Sequence, residues 1–205
     1  MNATEQSIVR NFHELYYNGP EGAGHIYGRT YWMGVQCLKC PLDLWIYQEI
    51  INEVRPDLII ETGTRHGGSA LFMANMLDLI GKGEVITIDI EELPRPSHPR
   101  IKYVTGSSTD ADLIASALSN RPDETRMVVL DSDHTKQHVL NELNLLSKYV
   151  SAGSYLIVED TNIPTDGPYQ AVEEFLQTRK EFVIDESREK FLLTFNPSGY
   201  LRRIA

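Results

Sequence analysis

Basic residues, cysteines and long apolar runs are what this chain has little of. No run of about 18 apolar residues occurs, so no transmembrane helix is expected. The first residues show no basic region followed by an apolar stretch, so no secretory signal is expected either. Lys plus Arg number 19 against 29 for Asp plus Glu, a net charge of −10. That balance disfavours nucleic acid and anionic membrane as partners. The two cysteines lie in Cys37-Leu38-Lys39-Cys40. This spacing suits a redox pair or half a zinc site, but a second pair and a nearby pair of histidines are missing. Two reduced cysteines in a cytoplasmic protein are the expectation. The G-x-G-x-x-G fingerprint of dinucleotide sites is absent as well.

What is present is a globular chain of 205 residues, 41% hydrophobic and 23% charged. Residues 5–17 place Ile8, Val9, Phe12, Leu15 and Tyr16 on one helical face, with Thr4 as a cap. Asn18-Gly19-Pro20 breaks that pattern. Residues 25–40 are aromatic and carry no clear period, and a helix opens at Pro41 and runs to about Val54. Beyond it, short apolar runs alternate with helical stretches. The runs are Leu58–Glu61, Val85–Asp89, Ile101–Val104, Met127–Asp131 and Tyr155–Glu159; the helices fit 67–80, 110–118, 135–149 and 168–178. The pattern predicts an α/β fold, a doubly wound and mostly parallel sheet covered on both faces. Phe182–Ile184 and Phe191–Phe195, joined by Asp185–Lys190, read as a C-terminal antiparallel hairpin. Residues 1–40 form a helical and aromatic extension, and 41–205 the main domain.

In such sheets ligands sit beyond the carboxyl ends of the strands, and there this sequence places acids: Glu61, Asp89, Asp131, Asp133, Glu159 and Asp160. Glu61-Thr62-Gly63-Thr64-Arg65-His66-Gly67-Gly68-Ser69 follows the first run. Its glycines permit a tight turn and close approach of backbone to a ligand. Its acid suits a cationic amino group, so S-adenosylmethionine fits. Asp89 can accept both ribose hydroxyls, as in NAD enzymes too, and Ser107-Ser108 can border an adenine. The cluster Asp131-Ser132-Asp133-His134 with Glu159-Asp160 brings carboxylates to one crevice if the three runs are neighbours. Such acids need a cation, and all-oxygen ligands suit Mg²⁺. His134 is placed as general base, and His138 shares its helix face. The aromatic stretch with Tyr27, Tyr31, Trp32, Gln36 and Lys39 either folds over the site as a lid or packs on an outer helix.

Together, Trp32-Met33-Gly34-Val35-Gln36, Pro41-Leu42-Asp43-Leu44-Trp45, Glu61-Thr62-Gly63-Thr64 with Gly67-Gly68-Ser69-Ala70, Asp131-Ser132-Asp133-His134 and Val158-Glu159-Asp160-Thr161 resemble the cephalosporin hydroxylase family. The resemblance implies a Rossmann-like class I S-adenosylmethionine-dependent methyltransferase fold and Mg²⁺-assisted O-methylation of a small molecule or saccharide. It implies cofactor contacts at Glu61, Gly63, Thr64, Gly67, Ser69, Asp89, Ser107 and Ser108. It also implies metal at Asp133, Glu159 and Asp160, with Asp131 kept on the cofactor side as the substitute ligand. Asp133 and His134 are then the catalytic pair, and a homo-oligomer is implied. The alternatives are a cofactor-binding, non-catalytic partner of a hydroxylase, a true iron hydroxylase, and an NAD-dependent oxidoreductase.

Overall fold

In a computed structural model of the chain, residues 2–22, 24–119, 121, 124–163 and 166–205 are described. Helix α1 spans Ala3–Asn18. Its cap is Asn2 rather than Thr4. The Asn2 side chain accepts from the Glu5 N–H, and the Glu5 carboxylate accepts from the Asn2 N–H in return. No residue of α1 is fully buried. Residues 31–36 then form a small antiparallel hairpin, β1 (Tyr31–Trp32) with β2 (Val35–Gln36). Helix α2 covers Pro41–Val54, with Pro41 in its first turn as expected.

The central sheet follows: β3 (Leu58–Thr62), α3 (Gly68–Ile80), β4 (Glu84–Asp89), β5 (Ile101–Thr105), α4 (Ala111–Ala117), β6 (Arg126–Leu130), α5 (Lys136–Leu146), β7 (Tyr155–Val158), α6 (Pro168–Thr178), β8 (Phe182–Ile184) and β9 (Tyr200–Arg203). The strand order is β5-β4-β3-β6-β7-β9-β8. The first five run parallel, and β9 is antiparallel to both β7 and β8. The central strands are apolar at nearly every position because both faces are covered. Leu58, Ile60, Val128 and Val158 pack on one side with α5 and α6, and Ile59, Val129 and Ile157 on the other with α2 and α3.

The C-terminal hairpin expectation needs a correction. Phe182–Ile184 is a strand, but its partner is Tyr200–Arg203, not Phe191–Phe195. The latter run spends its backbone and side-chain polar groups elsewhere. Phe195 N–H and Thr194 Oγ1 donate to the Asp43 carboxylate at 2.8 and 2.5 Å. Leu192 and Ser198 have positive φ, which breaks an extended ladder. The segment therefore crosses the carboxyl end of the sheet as a loop and carries Phe195 and Asn196 to the site.

Candidate functional site

The strand order reverses between β3 and β6, so the loops after them diverge and leave a crevice at their carboxyl ends. A cleft of about 490 Å³ lies there, a size typical of small-molecule sites. The loop after β3 forms its floor. Gly63 has φ +82, and a Cβ on it would lie 1.7 Å from the Asp131 carbonyl oxygen. A Cβ on Gly68 would meet the Gln36 carbonyl at 2.2 Å, and Gly67 caps α3 in the left-handed conformation. Glycine is thus required where this loop passes between β6 and the segment after β2.

Glu61 lies beneath that loop, fully buried. One carboxylate oxygen accepts from Ser69 Oγ and the other from Thr87 Oγ1 at 2.6 Å, while Thr64 Oγ1 is 2.6 Å from Thr87 Oγ1. Burial pushes the Glu61 carboxyl up to about 7, against the pull of Lys39 and its hydroxyl donors. Glu61 braces the loop, and Thr64 and Ser69 line the cleft. Asp89, at the end of β4, accepts from the Arg65 N–H at 2.7 Å and the Glu91 N–H at 3.0 Å, and it too faces the cleft. Ser107 and Ser108 follow β5 on the same wall. Ser108 Oγ lies 3.1 Å from His138 Nε2, which sits 3.6 Å from the buried Glu142.

The acids after β6 and β7 divide into two groups. Asp131, His134 and Asp160 converge, with one ligand atom from each lying within 4.8 Å of the others. His134 Nε2 is 3.4 Å from Asp131 and 3.3 Å from Asp160. Asp160 has φ +54, a strained conformation that aims its carboxylate into the cluster. Asn196 Oδ1 holds that backbone by accepting the Asp160 N–H at 3.1 Å. Asp133 and Glu159 stand outside that group, although Asp133 also lines the cleft. Asp133 is exposed and accepts from the Thr135 N–H at 2.7 Å, a side-chain turn just ahead of α5. Glu159 is buried and paired with Lys39 Nζ at 2.9 Å, and it also accepts from Tyr47 Oη. Lys39 bridges onward to Asp131 at 2.5 Å.

Electrostatics follow from this arrangement. Burial alone would raise the Asp131 carboxyl, but Lys39 and His134 hold it below the usual carboxylate range. Burial and the Asp131 charge push Asp160 up to about 7. Burial opposes the charged form of His134, yet Asp131 and Asp160 raise it to about 9. His134 is therefore a protonated imidazolium between two acids at neutral pH.

The family model described as Rhamnosyl O-methyltransferase/CmcI matches residues 25–204. The chain belongs to this family. It is 37% identical over 214 residues to the rhamnosyl O-methyltransferase of Mycobacterium leprae (strain TN), covering 96% of this chain and 91% of that one. The Mycobacterium bovis (strain BCG / Pasteur 1173P2) enzyme of the same name is also 37% identical, with 96% and 85% covered. Among solved structures, a CmcI structure with Mg and SAM superimposes with a TM-score of 0.71 at 20% identity, covering 94% of this chain and 84% of that one. Apo CalS11, a TDP-rhamnose 3'-O-methyltransferase, gives 0.59 at 14% identity, with 99% and 95% covered. These likenesses agree in fold with the sheet order above.

For this rhamnosyl O-methyltransferase/CmcI family member, the sequence pattern left several site residues unassigned. Lys39 was legible as part of an aromatic stretch, but its pairing with Asp131 and Glu159 spans 92 residues or more and needed the fold. The one available signal was a lone cation next to a helix start in a chain rich in acids. Asp43 gave a signal too, as an acid within an apolar helical face; it accepts from Thr194, Phe195 and Tyr200. Tyr47 was legible only within the motif running from Pro41 to Glu49 and Phe195 only as the end of a strand-like run, while Tyr17 and Asn196 gave no signal. The two readings of the aromatic stretch each hold for part of it. Trp32 packs edge-on against Phe72 of α3 at 4.8 Å and donates to Asn75 at 2.9 Å. Gln36, Cys37, Leu38, Lys39 and Tyr27 line the cleft.

Proposed function

We propose that this chain is an S-adenosylmethionine-dependent, Mg²⁺-assisted O-methyltransferase that acts on a sugar hydroxyl. The observation that carries this reading is the convergence of Asp131, His134 and Asp160 in the same cleft as the glycine loop and Asp89. The donors suit the cofactor. The loop closes so tightly around Gly63 and Gly68 that its backbone can meet a ligand directly, and Asp89 stands ready for a ribose diol. They suit the metal as well, because Mg²⁺ binds through one or two carboxylates and leaves its other positions to water and substrate. Asp131 and Asp160 supply those carboxylates. Asp133 uses one oxygen on the Thr135 N–H and Glu159 one on Lys39 and Tyr47, so neither belongs to the converging cluster as it stands.

When bound, S-adenosylmethionine offers an electrophilic methyl, and the divalent ion lowers the pKa of an acceptor hydroxyl held beside it. The chain's own residues do the rest. Lys39 fixes Asp131 and Glu159, and Asn196 fixes the backbone of Asp160, so the carboxylates are oriented in advance. With an ion held by Asp131 and Asp160, their pull on His134 would be offset and it would give up its proton to solvent. The neutral imidazole's Nε2 would then be placed to take the proton of an acceptor hydroxyl as that oxygen displaced S-adenosylhomocysteine from the methyl.

A homo-oligomer is part of this reading, supported by Ile8, Phe12 and Leu15, which form an exposed apolar row on α1. Free, buried Cys37 and Cys40 support a reducing, cytoplasmic setting. The net charge of −10 supports a small-molecule acceptor rather than nucleic acid or membrane. Among the described residues no helix is long and apolar enough to cross a membrane.

Calorimetric titration with S-adenosylmethionine and, in parallel, NAD, each with and without Mg²⁺, tests the reading. Micromolar binding of S-adenosylmethionine (about −8 kcal/mol) and none of NAD is expected. Methyl transfer to a rhamnoside, lost on chelating the metal, completes it. Binding of NAD alone would make the chain an oxidoreductase. Cofactor binding without transfer to any acceptor would make it a non-catalytic subunit.

A further inference from the structure

Helix α1 packs on the rest of the chain without burying any residue completely, so the core does not require it. Its contact is aromatic and lies beside the acidic cluster. Phe195, 3% exposed, is the hub. His13 stacks on it at 5.7 Å, Tyr16 meets it at 6.1 Å and Tyr17 at 5.4 Å. Tyr27 lies 6.1 Å from Phe195 and 4.9 Å from Tyr17, and His25 stacks on Tyr27 at 5.1 Å and meets Tyr17 edge-on at 5.7 Å. Asn162, two residues past Asp160, donates to His13 Nε2 at 2.8 Å and fastens the helix. Tyr17 and Tyr27 are only half-buried, and with Phe195 they line the cleft that holds Asp131, His134 and Asp160. Tyr17 and Asp160 line the same cleft, and the Asp160 charge helps raise the Tyr17 phenol. The glycine loop, Asp89 and Ser107 line another part of the same cleft.

The cleft therefore has three kinds of lining: a polar backbone cradle, an acidic centre and an aromatic wall. We propose that the wall of Tyr17 and Tyr27, backed by Phe195, is the acceptor-binding surface, and that it takes a pyranose ring stacked through its C–H face. The chemistry is complementary. One face of a pyranose presents C–H groups with slight positive charge, and an aromatic face carries the negative lobe of its quadrupole. The ring's edge carries hydroxyls, and the groups next to the wall are two carboxylates and an imidazole. A ring stacked on Tyr17 thus turns its hydroxyls toward Asp160 and His134. This inference rests on the function proposed above and adds to it the surface that selects the acceptor.

The test uses the full chain saturated with S-adenosylhomocysteine and Mg²⁺, with methyl α-L-rhamnopyranoside as probe and catechol as a flat aromatic competitor. Binding is read by saturation-transfer NMR and calorimetry. The rhamnoside is expected to bind the unmodified protein, with its ring C–H protons receiving saturation. Tyr17→Ala and Tyr27→Ala are each expected to weaken it about tenfold or more, while Tyr17→Phe and Tyr27→Phe stay within about threefold. Affinity for S-adenosylhomocysteine should be the same in all four variants, which shows that they fold. Rhamnoside binding unchanged in both alanine variants overturns the proposal, and so does binding of catechol in place of the sugar. Failure of S-adenosylhomocysteine to bind the unmodified protein is a different result. It removes the methyltransferase reading itself.

Discussion

Asp131 and Asp133 stand two residues apart and have opposite surroundings. Asp131 is held between Lys39 and His134 inside the cleft, whereas Asp133 is exposed at its edge and accepts the Thr135 N–H ahead of α5. Sequence spacing cannot separate them, since both follow an apolar strand and precede a helix. Their substitutions should separate them sharply. Asp131→Asn is expected to lower turnover about 100-fold or more and to weaken Mg²⁺ binding. Asp133→Asn keeps an oxygen that can accept the Thr135 N–H, so stability should change by less than about 1 kcal/mol and turnover by less than about threefold. Mn²⁺ titration followed by electron paramagnetic resonance, alongside steady-state kinetics, checks both. A reversed pattern would return the metal to Asp133. The motif acids themselves were legible from sequence as strand-end carboxylates. Which of them face one another was not, because side-chain direction at a strand end depends on local φ, as the positive φ of Asp160 shows.

At the scale of elements, the hairpin of β1 and β2 matters more than its length suggests. It is only four paired residues, too short to be stable alone. Trp32 pins it to α3 through Phe72 and Asn75, and the chain then runs directly through Gln36 to Lys39 along the cleft wall. Trp32→Ala is therefore expected to cost about 2 kcal/mol, less than a fully buried aromatic would. It should also weaken cofactor binding several-fold by loosening the segment that touches Gly68. Denaturant unfolding and a binding titration read the two effects. Loss of stability with unchanged binding would show that the wall holds its shape without the hairpin. The β1–β2 pairing was not legible from residues 25–40, which show neither period 2 nor period 3.6. The strands β3 to β7 and helices α2 to α6 were, because continuous apolar runs alternate with helical periodicity and helix boundaries carry proline or glycine signals. The last strand pair was half legible. Phe191–Phe195 has strand composition, but its polar groups are claimed by Asp43 in α2, more than 140 residues away.

The whole molecule ties its two ends together through that buried acid. Asp43 is 2% exposed, and its carboxylate receives Thr194, Phe195 and Tyr200. Burial, with the nearby Glu159 charge, raises its pKa from 3.8 to about 6 in spite of those donors. The folded state therefore holds this proton more tightly than the unfolded chain does. Ionising Asp43 costs stability: the cost is absent well below pH 4, grows as pH rises from about 4 to about 6, and is complete above that. Asp43→Asn should remove this dependence. Its stability relative to the unmodified protein is expected to rise across that window by on the order of 3 kcal/mol and then level off. Urea unfolding at closely spaced pH values measures it; parallel curves for the two proteins would contradict it.

The sequence by itself determined the parallel strands β3 to β7, their covering helices, the glycine loop and the row of acids at the strand ends. These are set by local periodicity, by backbone freedom at glycine and by which residue types end a buried strand. The tertiary structure alone decided how the acids divide between Lys39 and His134, and which loop carries Phe195 to the cleft. It also decided that the end of α1 stands beside the acidic cluster. Apart from the pairs of His134 with Asp131 and Asp160, those arrangements depend on contacts between residues more than 90 positions apart. Such contacts are selected by burial and charge pairing once the chain has closed, and no local pattern encodes them.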